Sequence, residues 1–212
     1  MKLLLKKELT FTALPLCYLF LGFSLLTLVP GYPIAVGGFF LCLGLFQSML
    51  SRREQGDLAY TVLLPVSKGE IVKANYLFTV LVELSYVLLC ALLTTVRTLC
   101  FSNAPVYLQN PMMNANPGYL GCLLLLFLFF NLLVLGGYWK TGYALGKPFV
   151  FFSIAAFLTI ALGETLHHLP GLAYLNAPTG GVSVLLLGTA VYAVCTPLSM
   201  KSSQQRFEQV DL

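Results

Sequence analysis

Glu164, His167 and His168 form the only cluster in the chain with metal-ligand chemistry. A Glu and a His three residues apart share one helix face, and one further acid or imidazole could complete a site for a divalent metal. No other histidine exists, however, and no His-Glu-x-x-His pattern occurs. The opposing reading, polar residues marking where a helix meets the outer headgroups, therefore carries more weight. Glu83 is isolated in an apolar run, where an ionised carboxylate costs a few kcal/mol unless it is partnered. It must face protein or water, either as a group on a cargo or proton pathway or as a hydrogen-bonded carboxyl between helices. Arg97 follows fourteen residues later, about 21 Å along a helix and too far to pair with it. It reads as an anchor that snorkels to the outer interface.

Phosphate chemistry is missing. A nucleotide-driven machine needs Gly-x-x-x-x-Gly-Lys-Ser/Thr on a strand-to-helix turn. The nearest string, Gly142-Tyr-Ala-Leu-Gly146-Lys147-Pro148, has the wrong spacing and ends in proline. Cys17, Cys42, Cys90, Cys100, Cys122 and Cys195 all fall in apolar runs without CxxC or Cys/His spacing and read as packing residues, with Cys100 and Cys122 near enough to the outer surface to leave a disulfide open.

The elements that must carry these residues are membrane helices. The 212 residues are 58% apolar and 9% charged, whereas a soluble domain carries about 25% charge. Residues 9–51, 98–139 and 165–200 contain no Asp, Glu, Lys or Arg, and each run has room for one or two passes of about 20 residues. The expected architecture is an all-α membrane protein, one transmembrane domain over 1–212. Its six spans fall near 11–29, 34–50, 76–101, 118–138, 149–166 and 181–200. Pro30-Gly31-Tyr32-Pro33 turns the first pair into a hairpin. Eleven of the twelve Lys/Arg flank the ends that such a topology places on one side, which the positive-inside rule makes cytoplasmic together with both termini. Leu3, Leu4 and Leu5 beside Lys6 and Lys7 read as a short interfacial helix rather than a cleaved signal. Tyr119, Tyr138, Trp139 and Tyr143 read as interface markers. The neutral segment 102–117 reads as an outer connector, and 201–212 as a polar cytoplasmic tail. The formal charge of +4 is membrane-flanking, which argues against nucleic acid.

Residues 51–75 are far too many for a turn between antiparallel helices, for which 2–8 suffice. Asp57 is suited to cap a short helix through Leu64, which Pro65 stops, and Ser67-Lys-Gly-Glu70 is a capping box that starts the third span. The short helix offers Leu58, Tyr60, Val62, Leu63 and Leu64 to the cytoplasm. Headgroups, the rest of the chain or a partner must cover them.

The run Glu54-x-Gly56-Asp57 through Leu63-Leu64-Pro65-Val66-Ser67-Lys68-x-Glu70-Ile71-Val72 resembles the first cytoplasmic loop of bacterial type-2 ATP-binding-cassette (ABC) permeases. That resemblance implies a permease subunit of an ATP-driven exporter in the bacterial plasma membrane, moving an amphipathic or hydrophobic cargo by alternating access at a dimer interface. It implies docking of the ATPase through a coupling helix at Asp57, Leu58, Tyr60, Val62, Leu63, Leu64 and Pro65. It also implies two ATPase subunits that carry ATP and Mg, no cofactor in this chain, and a second permease subunit as homodimer or heterodimer. Three rivals stand beside it: a six-helix substrate-binding component of a vitamin-type uptake system, an intramembrane metal-dependent enzyme using Glu164 with His167 or His168, and a passive channel, for which the sequence offers no charged ring or filter.

Overall fold

The computed structural model describes residues 1–210, which are helical with no strand. In chain order the helices are α1 (Lys2–Thr12), α2 (Pro15–Leu28), α3 (Val36–Glu54), α4 (Asp57–Val62), α5 (Lys68–Cys100), α6 (Pro105–Leu108), α7 (Pro117–Tyr138), α8 (Gly146–Leu166) and α9 (Pro178–Glu208). Four of these, α5, α7, α8 and α9, are long and apolar enough to cross a membrane, and α1 with α2 counts as a fifth if the bent pair is one span. Helix α3 has 19 residues but ends in Ser51-Arg-Arg-Glu54, which lowers its apolar character.

The first apolar run is not one helix from Phe11. Leu14 is extended at ψ 146° because Pro15 forbids the helical region before it, so α1 and α2 meet at 88°. Phe11 and Thr12 belong to α1, which is longer than its leucines suggested. From Phe20 to Leu28 the chain of α2 is a 3₁₀-helix. At about 2.0 Å per residue against 1.5 Å, fourteen residues then reach about 25 Å, close to the hydrocarbon thickness of about 30 Å. Its last carbonyls are satisfied from outside the helix: Arg97 donates to Thr27 O at 3.2 Å and the Tyr107 hydroxyl to Leu28 O at 2.8 Å.

Helices α7 and α9 make the closest packing in the molecule. A Cβ on Gly188 would lie 2.6 Å from the Gly121 carbonyl oxygen, and one on Gly121 would overlap the Val184 backbone. Small residues let membrane helices approach this closely. Helix α9 continues through Pro197 and carries residues 201–208 as its last turns rather than as a separate tail. Phe207 is buried against Trp139 with ring centroids 4.8 Å apart. Tyr119, Tyr138 and Trp139 are likewise core residues, and of the four expected interface markers Tyr143 alone is exposed. The reason is that the bundle's ends are closed by other elements, which bring apolar neighbours to rings that sequence position places near headgroups.

Candidate coupling site at the charged end of the bundle

Helices α3 and α4 are separated by two residues, Gln55 and Gly56. Gly56 takes φ +66°, the left-handed region that glycine enters at no steric cost, and its N–H donates to Arg53 O at 3.1 Å. Gly56, not Asp57, occupies the cap position of α4. The Asp57 carboxylate is thereby free for longer-range work. It accepts from Lys7 Nζ at 2.7 Å and lies 3.3 Å from Arg52 Nε. Lys7 also reaches Thr61 Oγ1 at 2.5 Å. Helix α4 ends at Val62, two residues short of the sequence expectation, and Leu63 to Val66 form the turn. The capping box behind it is present: Glu70 N donates to Ser67 Oγ and Ser67 N to Glu70 Oε2, both at 3.2 Å.

Arg52 is the centre of this end of the bundle. Its side chain is 1% exposed, donates to Glu8 Oε2 at 3.0 Å and sits 5.4 Å from the centroid of the Trp139 ring. Asn75 Nδ2 adds a longer contact to the same Glu8 oxygen at 3.4 Å. Glu8 from α1, Arg52 from α3, Asp57 from α4, Asn75 from α5 and Trp139 beyond α7 thus meet around one guanidinium. No sequence argument linked Glu8 or Lys7 to this loop. An uncompensated charge so deeply buried would be costly, so the partners are mutually required.

The face of α4 turned to this network holds Leu58 and Thr61, both buried. Asp57 and Leu58, expected on the docking face, therefore point into the protein. The opposite face presents Tyr60 at 72%, Leu63 at 82% and Leu64 at 50% exposure, with Pro65 exposed beside them and Val62 at the margin.

Glu83 lies elsewhere, fully buried among α5, α7 and α9. Its Oε2 accepts from Asn131 Nδ2 at 2.9 Å and from the Tyr192 hydroxyl at 2.6 Å. Asn131 falls where α7 turns π-helical, Phe130–Leu135. The Asn131 carbonyl accepts the Gly136 N–H of that widened turn and also takes hydrogen bonds from Tyr76 Oη and Ser199 Oγ, each at 3.2 Å. The other partner of Glu83, Tyr192, lines the groove between α5 and α9, with its hydroxyl turned to the carboxylate.

At the opposite end of α5 Arg97 does not extend outward as an anchor. It is buried, donates to Asn114 Oδ1 at 2.7 Å and lies 3.9 Å from the centroid of Tyr107, so it ties segment 101–116 to the bundle. Glu164 accepts from Met113 N at 2.7 Å, and His167 Nε2 is 3.4 Å from Pro111 O. Among the described residues no three His, Cys, Asp or Glu come together as a metal site, and all six cysteines are free.

Several long apolar helices and a buried charged network at one end define a multi-pass membrane protein of the helical-bundle class. A family model described as "ABC-2 family transporter protein" matches residues 2–208. The chain belongs to that family, the membrane component of ABC transporters. No curated protein and no solved structure matches it.

Proposed function

We propose that this chain is the permease subunit of an ATP-driven exporter in the bacterial plasma membrane, and that its ATPase docks on the outer face of α4 through Tyr60, Leu63, Leu64 and Pro65. The α2–α3 hairpin supplies the first two spans, so six cross the bilayer with both ends cytoplasmic. The observation that carries this reading is the division of α4 into two faces. One is locked to α1, α3 and α5 by Lys7, Asp57, Arg52 and buried Leu58; the other offers three large apolar side chains to water. A helix held this firmly on one side transmits a push instead of yielding to it. The apolar interiors of the spans suit an amphipathic or hydrophobic cargo. It would move by alternating access between this subunit and a second permease subunit, with ATP and Mg held by the two ATPase subunits.

The test is Tyr60→Asp with Leu63→Asp in the complex. Both positions are exposed, so the variant inserts with unchanged thermal stability while ATPase retention on affinity-purified permease falls at least tenfold. Undiminished retention and ATP turnover would remove the docking assignment. Leu58→Asp, by contrast, introduces a charge into the buried face and lowers stability whether or not a partner binds.

A further inference from the structure

Helices α5 and α9 diverge along a groove of about 640 Å³, floored in part by α7. On α5 its wall runs from Leu77 through Leu84 to Ala91, fourteen residues or about 21 Å. The groove is apolar over that whole length, which suits the hydrocarbon tail of a lipid. Two tyrosines contribute to the wall, yet the wall is apolar because their hydroxyls are turned inward: Tyr192 donates to Glu83, and Tyr76 bonds Ser199 and Ser203 at 2.9 Å each.

The chemistry changes at the cytoplasmic end of the same seam. Lys73 stands one turn before Leu77 on α5, and Lys201 follows the groove residue Met200 on α9. Both lysines line a second cavity of about 560 Å³ with Gln204, Gln205, Glu70 and Glu208. Neither lysine forms an ion pair among the described residues. Of the two acids, Glu70 is engaged by its capping box through Oε2. Along the same two helices an apolar groove about 21 Å long is thus followed, past Tyr76, by a cavity with two ammonium groups and two carboxylates.

We infer that the α5–α9 seam is a binding site for one glycerophospholipid of the inner leaflet, an acyl chain lying in the groove and the headgroup at its cytoplasmic mouth. Lys73 and Lys201 hold the phosphate. The balanced charge of the mouth selects a headgroup that also carries a primary ammonium, which Glu208 and Glu70 receive. No residue of α4 lines the groove or its mouth, so the site is tested independently of the docking assignment.

The experiment is native mass spectrometry of the full chain in mild detergent, titrated with 1-palmitoyl-2-oleoyl phosphatidylethanolamine, the matching phosphatidylglycerol, or dioleoylglycerol, which lacks phosphate. The wild type retains the phosphatidylethanolamine in preference to both others. Ala193→Phe fills the groove and removes retention. Lys73→Gln with Lys201→Gln lowers it by roughly thirtyfold, from about fivefold per lysine. Leu186→Phe, on the exposed side of α9, is the control for folding and changes nothing. Equal retention by wild type, the groove variant and the lysine variant overturns the site. So does quantitative disulfide-linked dimer from Ala193→Cys, which would make the seam a contact between two copies, and so does equal binding of dioleoylglycerol.

Discussion

Replacing Arg52 with Met tests the arrangement of the Arg52 end of the bundle most directly. The substitution keeps a long apolar stem against Trp139 but leaves Glu8, 1% exposed, with a single long contact from Asn75 at 3.4 Å. It also removes one of the two cations beside Asp57. Breaking a buried pair by deleting one partner costs about 3–5 kcal/mol. For a chain of this length each kcal/mol shifts Tm by about 2–4 °C, so the midpoint falls on the order of 10 °C. A thiol-reactive fluorogenic dye reports the transition, because Cys17, Cys42 and Cys90 are fully buried in the folded state. Glu8→Gln in the same background removes the orphaned carboxylate and recovers most of the loss, since neutralising both partners is far cheaper than stranding one. The reasoning fails if Arg52→Met moves Tm by less than 2 °C, or if the double variant is no more stable than the single one.

Other outcomes follow from the same structure. Gly188→Leu drives a side chain into the Gly121 carbonyl and separates α7 from α9, so little folded protein is recovered, whereas Leu187→Ala on the exposed side is tolerated; detergent-solubilised yield by size exclusion distinguishes them. Glu83→Leu strands the Tyr192 hydroxyl and the Asn131 amide and costs about 1–3 kcal/mol for each, while Glu83→Gln keeps a carbonyl oxygen for both and holds stability near wild type in the same dye assay. Arg97→Ala removes the contacts to Thr27 O and Asn114 together, and hydrogen exchange or protease cleavage accelerates in 101–116 with no change around Arg52.

The apolar runs and the prolines made most of the helices legible, because span length and turn chemistry are local properties. The Ser67–Glu70 capping box is of that kind, and its prediction and its geometry agree. The break at Leu14 was equally local and was overlooked: Pro15 inside an apolar run carried the signal. What the sequence could not yield was partnership at a distance. Glu8 and Arg52 are 44 residues apart, Lys7 and Asp57 are 50 apart, and nothing in either neighbourhood announces the other. The same holds for Glu83, whose donors come from positions 48 and 109 residues away. Arg97 and the aromatic residues near the ends were misplaced for a related reason: the elements that cover the ends were invisible in the sequence. The family membership, by contrast, rested on a contiguous loop motif and so was accessible from the chain alone.

The 3₁₀ stretch of α2 holds reserve length. Nine residues wound at about 2.0 Å each span about 18 Å; rewound as α-helix they would span about 13.5 Å, a stroke of 4–5 Å and close to one α-helical turn. Because Arg97 and Tyr107 grip the carbonyls at the far end of that stretch, such a contraction would either tear the outer cap from its anchor or haul it inward with the spring.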